Sequence, residues 1–195
     1  VMNGIDGNTY LFLGGQFIFF QHNERWWSEP QLLSDHWDSL PFDVIHAGFT
    51  GKDGKTYLFS GNEYARYSDA NYDKLDDRYP QSIASKWGKV YNNIARTHRI
   101  DAALSLRAVE TITEDDLERE ESRDYFYLFS GNQFFRYTGS LLDAEGKLRS
   151  VDTGYPKTIK TSLKEESRFA HVPVSLHAGL DAAFADDRNV FLVQG

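Results

Sequence analysis

Six histidines and 29 carboxylates are the groups in this chain that could ligate a metal or move a proton, and there is no cysteine. The histidines are His22, His36, His46, His98, His171 and His177. They are scattered, with no pair at helical i, i+4 spacing of the kind that puts two imidazoles on one metal. Gly-x-Ser-x-Gly, His-Glu-x-x-His, glycine-rich phosphate-loop and EF-hand patterns are all missing. Asp53-Gly54-Lys55 reads as a hairpin turn, not a calcium loop. The carboxylates are concentrated instead. Glu110 to Asp124 holds eight acids and two bases, a local charge of −6. Gathering those charges on one ion would set them against each other, so they read as a solvated acidic segment. Thr113-Glu114-Asp115-Asp116 has the form of a capping box, which predicts a helix there. Glu114, Asp115, Asp116 and Glu118 are the candidate partner-binding residues, because insertions in repeat folds often form binding surfaces. This inventory points away from an enzyme and toward a binding protein.

Composition sets further bounds. The net charge of −8 disfavours a nucleic-acid backbone as partner. No apolar run is long enough to span a bilayer and no signal peptide is visible. The first residue is Val1, consistent with removal of an upstream segment. The lack of cysteine fits a bacterial or cytosolic setting and still allows export.

The elements that must position these residues are announced by a repeat. Tyr10-Leu11-Phe12-Leu13-Gly14 recurs at Tyr57 to Gly61 and Tyr127 to Gly131, with a weaker copy at Phe191 to Gly195. The spacings are 47, 70 and 64 residues, so one supersecondary unit is used four times. The first three copies are followed by a second aromatic run: Gln16 to Phe20, Glu63 to Tyr67 and Gln133 to Tyr137. In the best-preserved copy, Ile45 to Phe49 reads as an inner strand, Thr56 to Phe59 as a second and Tyr64 to Tyr67 as a third. An edge strand is expected near Asp76 to Tyr79, then a short helix over Pro80 to Trp87. Leu33/Trp37, Ile83/Trp87 and Ile159/Leu163 stand three and seven residues after Pro30, Pro80 and Pro156. That spacing gives each helix one apolar face, with Trp37 and Trp87 as anchors under it.

Small residues mark the inner strands of the later copies, Arg99 to Leu104 and Gly179 to Phe184, and suit strands crowded around an axis. Four such units predict an all-β, four-bladed β-propeller with short outer helices. Its units would be 1–41, 42–97, 98–176 with an acidic insertion at 105–124, and a partial fourth at 177–195. The chain stops after the second strand of that fourth unit. The open edge predicts either downstream chain that completes the blade or a partner strand that fills it.

The Asp-Ala-Ala inner strands, the Tyr-Leu-Phe second strands, Arg66 and Arg136 on third strands, and the pairs Tyr79-Pro80 and Tyr155-Pro156 together resemble the hemopexin-like repeat. The chain is more similar to cysteine-poor plant albumin and bacterial photopexin-like members than to metalloproteinase domains. The resemblance implies a central channel in which main-chain carbonyls hold a structural calcium or sodium ion. By position these would be the carbonyls of Met2, His46, Asp101 and Asp181, above a second ring of small residues, Gly48, Ala103 and Ala183. It also implies a binding module for a protein, glycan or small ligand, secreted or exported, as in a bacterial virulence or toxin protein. Haem or polyamine carriage and an accessory role beside a hydrolase are the alternatives. The scattered histidines, and the presence of at most one propeller, argue against haem.

Overall fold

The computed structural model describes residues 1–87, 99–114, 117–143, 148–172, 179–185 and 189–195. Four antiparallel sheets follow one another along the chain. The first holds β1 (Met2–Asn3), β2 (Thr9–Leu13), β3 (Gln16–Gln21), β4 (Trp26–Trp27) and β5 (Gln31–Leu32). The second holds β6 (Ala47–Thr50), β7 (Thr56–Ser60), β8 (Glu63–Tyr67) and β9 (Gln81–Ser82). The third holds β10 (Ala102–Glu114), β11 (Leu117–Ser130), β12 (Gln133–Thr138) and β13 (Lys157–Thr158). The fourth is the pair β14 (Ala182–Ala185) and β15 (Val190–Val193). The innermost strands meet in a closed circle, with β1 against β6, β6 against β10, β10 against β14, and β14 against β1. This is the four-bladed arrangement that the repeat predicts.

The turn after each Tyr-Leu-Phe strand needs glycine, because Gly14, Gly61 and Gly131 adopt φ of 59°, 54° and 56°. Crowding at the axis explains another. A Cβ on Gly48 would lie 2.9 Å from Met2 Sδ and 3.0 Å from Leu58 Cδ2.

Adjacent blades are laced together at one level of the inner strands. Asn3, Thr50, Ser105 and Ala185 occupy the same register, opposite Thr9, Thr56, Phe126 and Val190. Ser105 Oγ donates to the Thr50 carbonyl at 2.7 Å, and Thr50 Oγ1 to the Asn3 carbonyl at 2.8 Å. Asn3 Nδ2 donates to the Ala185 carbonyl at 2.8 Å. The bonds run in one rotational sense, and Ala185 has no side-chain donor to continue it. Ala185→Ser is expected to supply the fourth rung and raise stability by about 0.5–1.5 kcal/mol. An unfolding midpoint left unchanged or lowered would show that the lacing is incidental.

The core lies between blades rather than inside one. Trp87, fully buried, closes a cluster that joins Phe49, Tyr57 and Phe59 of the second sheet to Phe126, Phe135 and Tyr137 of the third. Trp37 does the same between the first sheet and Tyr67 of the second, with Tyr72 from the loop after β8. Third-strand tyrosines latch onto the chain beside these anchors. Tyr137 Oη donates to the Trp87 carbonyl at 2.6 Å and Tyr67 Oη to the Asp38 carbonyl at 2.9 Å. At the next interface Leu163 is small for this task, and Phe169 stands perpendicular to Tyr127 at 5.0 Å, as Trp87 does to Tyr57 at 5.7 Å.

Several local expectations are corrected. Among the described residues the helices after Pro80 and Pro156 are single turns, α1 (Ile83–Lys86) and α2 (Ile159–Ser162), and neither begins at its proline. Pro80 and Pro156 follow cis peptide bonds and lead first into β9 and β13. The edge strand of the second sheet is therefore Gln81–Ser82, and Asp76 to Tyr79 forms the turn before it. The largest correction is the acidic insertion. The described residues on either side of 115 and 116 are strand, paired from Ala102↔Phe129 out to Glu114↔Leu117. Four of the five residues from Val109 to Thr113 are β-branched, and that strand preference overrides the capping-box signal. Asp115 and Asp116 lie outside the described residues.

Candidate functional site

The residues at the start of the inner strands share one local design. His46, Asp101 and Asp181 each donate their amide to the second strand of their own blade, at Phe59, Phe129 and Val193 (2.9, 2.8 and 2.9 Å). Each side chain then accepts from the amide of the residue that ends that strand's motif. Gly61 N–H donates to His46 Nδ1 at 3.1 Å, Gly131 N–H to Asp101 Oδ2 at 2.6 Å, and Gly195 N–H to Asp181 Oδ2 at 2.8 Å. The recurring Asp is thus a clasp for the turn, and His46 substitutes for it as an acceptor. Amide and side chain are thus both engaged within the blade.

Met2 does not belong to this level. It pairs with Tyr10, the register held by Phe49, Leu104 and Phe184 elsewhere, three residues beyond the clasp. The short inner strand of the first sheet gave too little pattern to fix the alignment. Gly48, Ala103 and Ala183 do share one register, opposite Leu58, Leu128 and Leu192. Among the described residues no three His, Asp or Glu side chains converge on a common point. A cation in the channel would therefore rest on main-chain oxygens.

His46 accepts through Nδ1, so the ring must be neutral there. Burial and the Arg99 charge hold its pKa below the ordinary value near 6.5. A depressed imidazole contributes stability that is full above the unfolded-state value and is lost as pH falls. Burial moves His36 in the same direction. Stability is therefore expected to drop between about pH 7 and about pH 5. His46→Asp, which places the residue of the other blades at this clasp, should flatten that drop. Urea unfolding across the window checks it, and an identical pH slope in the variant would remove His46 from the account.

The other histidines are not brought together. His22 contacts Thr9 Oγ1 at 2.9 Å, and His36 packs against Phe17 and Tyr10. His171 is exposed, and His98 and His177 lie outside the described residues.

Two features had no clear sequence signal. One is the hairpin of β10 and β11, whose strands are 13 and 14 residues long. β12 pairs with β11 only from Tyr125 inward, so the outer part is a two-stranded ribbon. Glu114 and Glu118 lie at its tip, Glu118 exposed, beside Leu117 at 74% exposure. The other is a buried charge cluster. Glu166, 5% exposed, receives Arg136 Nη1 at 2.8 Å, Tyr127 Oη at 3.0 Å, Lys157 Nζ at 3.3 Å and the Tyr155 hydroxyl. Arg136 also binds Asp152 through Nε at 2.7 Å and lies over the Tyr155 ring at 4.8 Å. Arg66 repeats half of this with Asp76 and Tyr79. That pairing explains why aromatic-Arg strands and Tyr-Pro turns occur together, and why the first blade, with Phe19, lacks both.

Comparison with known proteins follows this geometry. The Hemopexin family model matches residues 45–88 and 119–162. Vitronectin from Homo sapiens is 33% identical over 110 residues, covering 55% of this chain and 19% of vitronectin. Macrophage metalloelastase from Oryctolagus cuniculus is 25% identical over 193 residues, covering 94% of this chain and 32% of that protein. The chain thus spans well under half the length of either relative. Among solved structures, the hemopexin fold protein CP4 from cow pea superposes with a TM-score of 0.63 at 20% identity, covering 96% of this chain and 77% of that one. A plant lectin with two metal binding sites from Cicer arietinum gives 0.62 at 19% identity, covering 96% and 78%. At those identities the likeness is one of fold. The closed circle of inner strands and these neighbours give the chain the hemopexin fold, and two of its repeats match the Hemopexin family model.

Proposed function

We propose that this chain is a non-catalytic binding module that presents the hairpin of its third blade to a protein partner. The observation that carries the reading is the ribbon itself. From Arg107↔Asp124 outward no third strand covers either edge among the described residues, and exposed Val109 and Leu117 stand among Glu110, Glu114, Glu118 and Glu120. Open strand edges favour partner pairing, and acidic flanks favour a basic one. The test replaces the ribbon from Val109 to Ser122 with a two-residue Asn-Gly turn and compares partner retention by quantitative affinity capture. The shortened chain should fold and lose the partners that the full chain retains. An unchanged set of partners would sink the reading.

A structural cation, calcium or sodium, belongs to the same proposal, held by the carbonyls of His46, Asp101 and Asp181. The support is the shared clasp, which engages the amide and side chain of all three residues, together with hard-cation preference for oxygen ligands. Dialysis against a chelator followed by metal analysis and a thermal melt is the check. A metal-free protein of equal stability would contradict it.

A further inference from the structure

At the end of the channel away from the clasps, the four inner strands open into a cavity of about 720 Å3. Leu106 and Val109 of the hairpin and Phe184 and Phe191 of the fourth sheet supply its apolar wall. Its charged lining side chains are Lys52, Arg107 and Arg168, and no carboxylate lines it among the described residues. In a chain with 29 acids and 21 bases that is an unexpected composition. Asp186, Asp187 and Arg188, between β14 and β15 in sequence, lie outside the described residues.

The described carboxylates on the flanking turns are already engaged. Asp6 accepts from Tyr10 Oη at 2.6 Å and Asp53 from Tyr57 Oη at 2.7 Å. Asp124 holds Arg107 through two bonds of 2.8 and 3.1 Å, which neutralises that guanidinium. Arg168 spends one N–H, Nη2, on the Arg107 carbonyl at 3.0 Å, an uncharged partner, and keeps its charge. Lys52 is exposed and forms no ion pair among the described residues. The hydroxyls of Thr50 and Ser105 are occupied by the lacing between blades. Among the described residues the cavity therefore offers a ligand two cations at the rim, the His22 ring and an apolar wall.

We infer that this mouth is a binding site for a small organic dianion, a phosphate monoester or dicarboxylate on a compact apolar body. The volume falls within the range of small-molecule sites, roughly 300–1,000 Å3. Lys52 and Arg168 take the two negative charges, and Leu106, Val109, Phe184 and Phe191 take the body. The ligand's charge supplies the recognition, so binding should weaken as salt is raised.

Calorimetric titration with phenyl phosphate, benzene-1,3-dicarboxylate, phenol and inorganic phosphate tests this. The two aromatic dianions should bind, and phenol and inorganic phosphate should bind much more weakly. Lys52→Gln with Arg168→Gln should weaken dianion binding by about tenfold, since each rim ion pair contributes up to about 1 kcal/mol. Lys164→Gln, away from the cavity, should leave it unchanged. All three substituted positions are exposed, and circular dichroism confirms that the variants fold. Binding of phenol or inorganic phosphate as tight as that of the aromatic dianions would overturn the proposal. So would no binding of either dianion, or equal binding by the double variant.

Discussion

Trp87→Ala is expected to cost about 3–5 kcal/mol of folding stability, the range for removing a large buried aromatic. The indole is fully buried and meets Phe59, Tyr64 and Tyr137 edge-on at 5.3, 5.5 and 5.7 Å. It contributes to two blades at once, so the cavity left behind opens the interface between them. Relaxation cannot close it easily, because both walls are sheets with fixed register. The indole N–H has no hydrogen-bond acceptor among the described residues, so truncation strands no partner there and the cost is one of packing. The hydrogen bond from Tyr137 goes to the Trp87 carbonyl and survives the substitution. Trp27→Ala, at a side chain 48% exposed on an edge strand, should change stability by only about 0.5 kcal/mol. Urea unfolding of both variants is the measurement, and equal small effects would refute the wedge.

Glu166→Ala should be as damaging, at about 3–5 kcal/mol, because it removes one side of a buried ion pair and leaves the other in place. Arg136 would keep Asp152 but lose the carboxylate on its far side, and the hydroxyls of Tyr127 and Tyr155 would lose their acceptor. Burial alone would raise the Glu166 carboxyl. Hydrogen bonds from Tyr155, Arg136 and Tyr127, with the Arg136 charge, outweigh burial and hold it below its ordinary value of 4.5. A depressed carboxyl gives stability that is present above the unfolded-state pKa and lost as pH falls through the folded one. Glu166→Gln, which keeps an acceptor and removes the charge, should lose less stability than the alanine variant near neutrality and show a shallower acid transition. If Glu166→Ala unfolds within about 1 kcal/mol of the parent, the cluster carries no structural weight.

What the sequence made legible was the part written in repeats. The Tyr-Leu-Phe copies announce the second strands, their glycines announce the turns, and the Pro+7 tryptophans announce buried anchors. Periodicity could not say that the anchors sit between blades, because a helical face reports burial and not its partner. Phe169 was invisible for the same reason: it lies outside the repeat and reaches the Trp position from a later turn. The acidic insertion misled because four residues with capping-box form outweighed the β-branched content of Val109 to Thr113, which becomes decisive only when a second strand pairs with it. His46 was read by position, beside Asp101 and Asp181. Its equivalence is chemical as well, since an imidazole nitrogen and a carboxylate oxygen accept the same turn amide. Met2 was misplaced by three residues because a two-residue strand carries almost no register information.

The account rests on closure of the first blade against the fourth, which forms the channel and brings the mouth residues together. Asn3 and Ala185 meet there, 182 positions apart in sequence, through the 2.8 Å bond between Asn3 Nδ2 and the Ala185 carbonyl. The chain has no cysteine, so the double variant Asn3→Cys, Ala185→Cys introduces the only two thiols. Mild oxidation, read by mass spectrometry and non-reducing electrophoresis of the folded monomer, measures the closure. The account predicts an intramolecular disulfide that forms readily and raises the unfolding midpoint. Two free thiols that persist in the folded protein, or cross-links only between molecules, would contradict it.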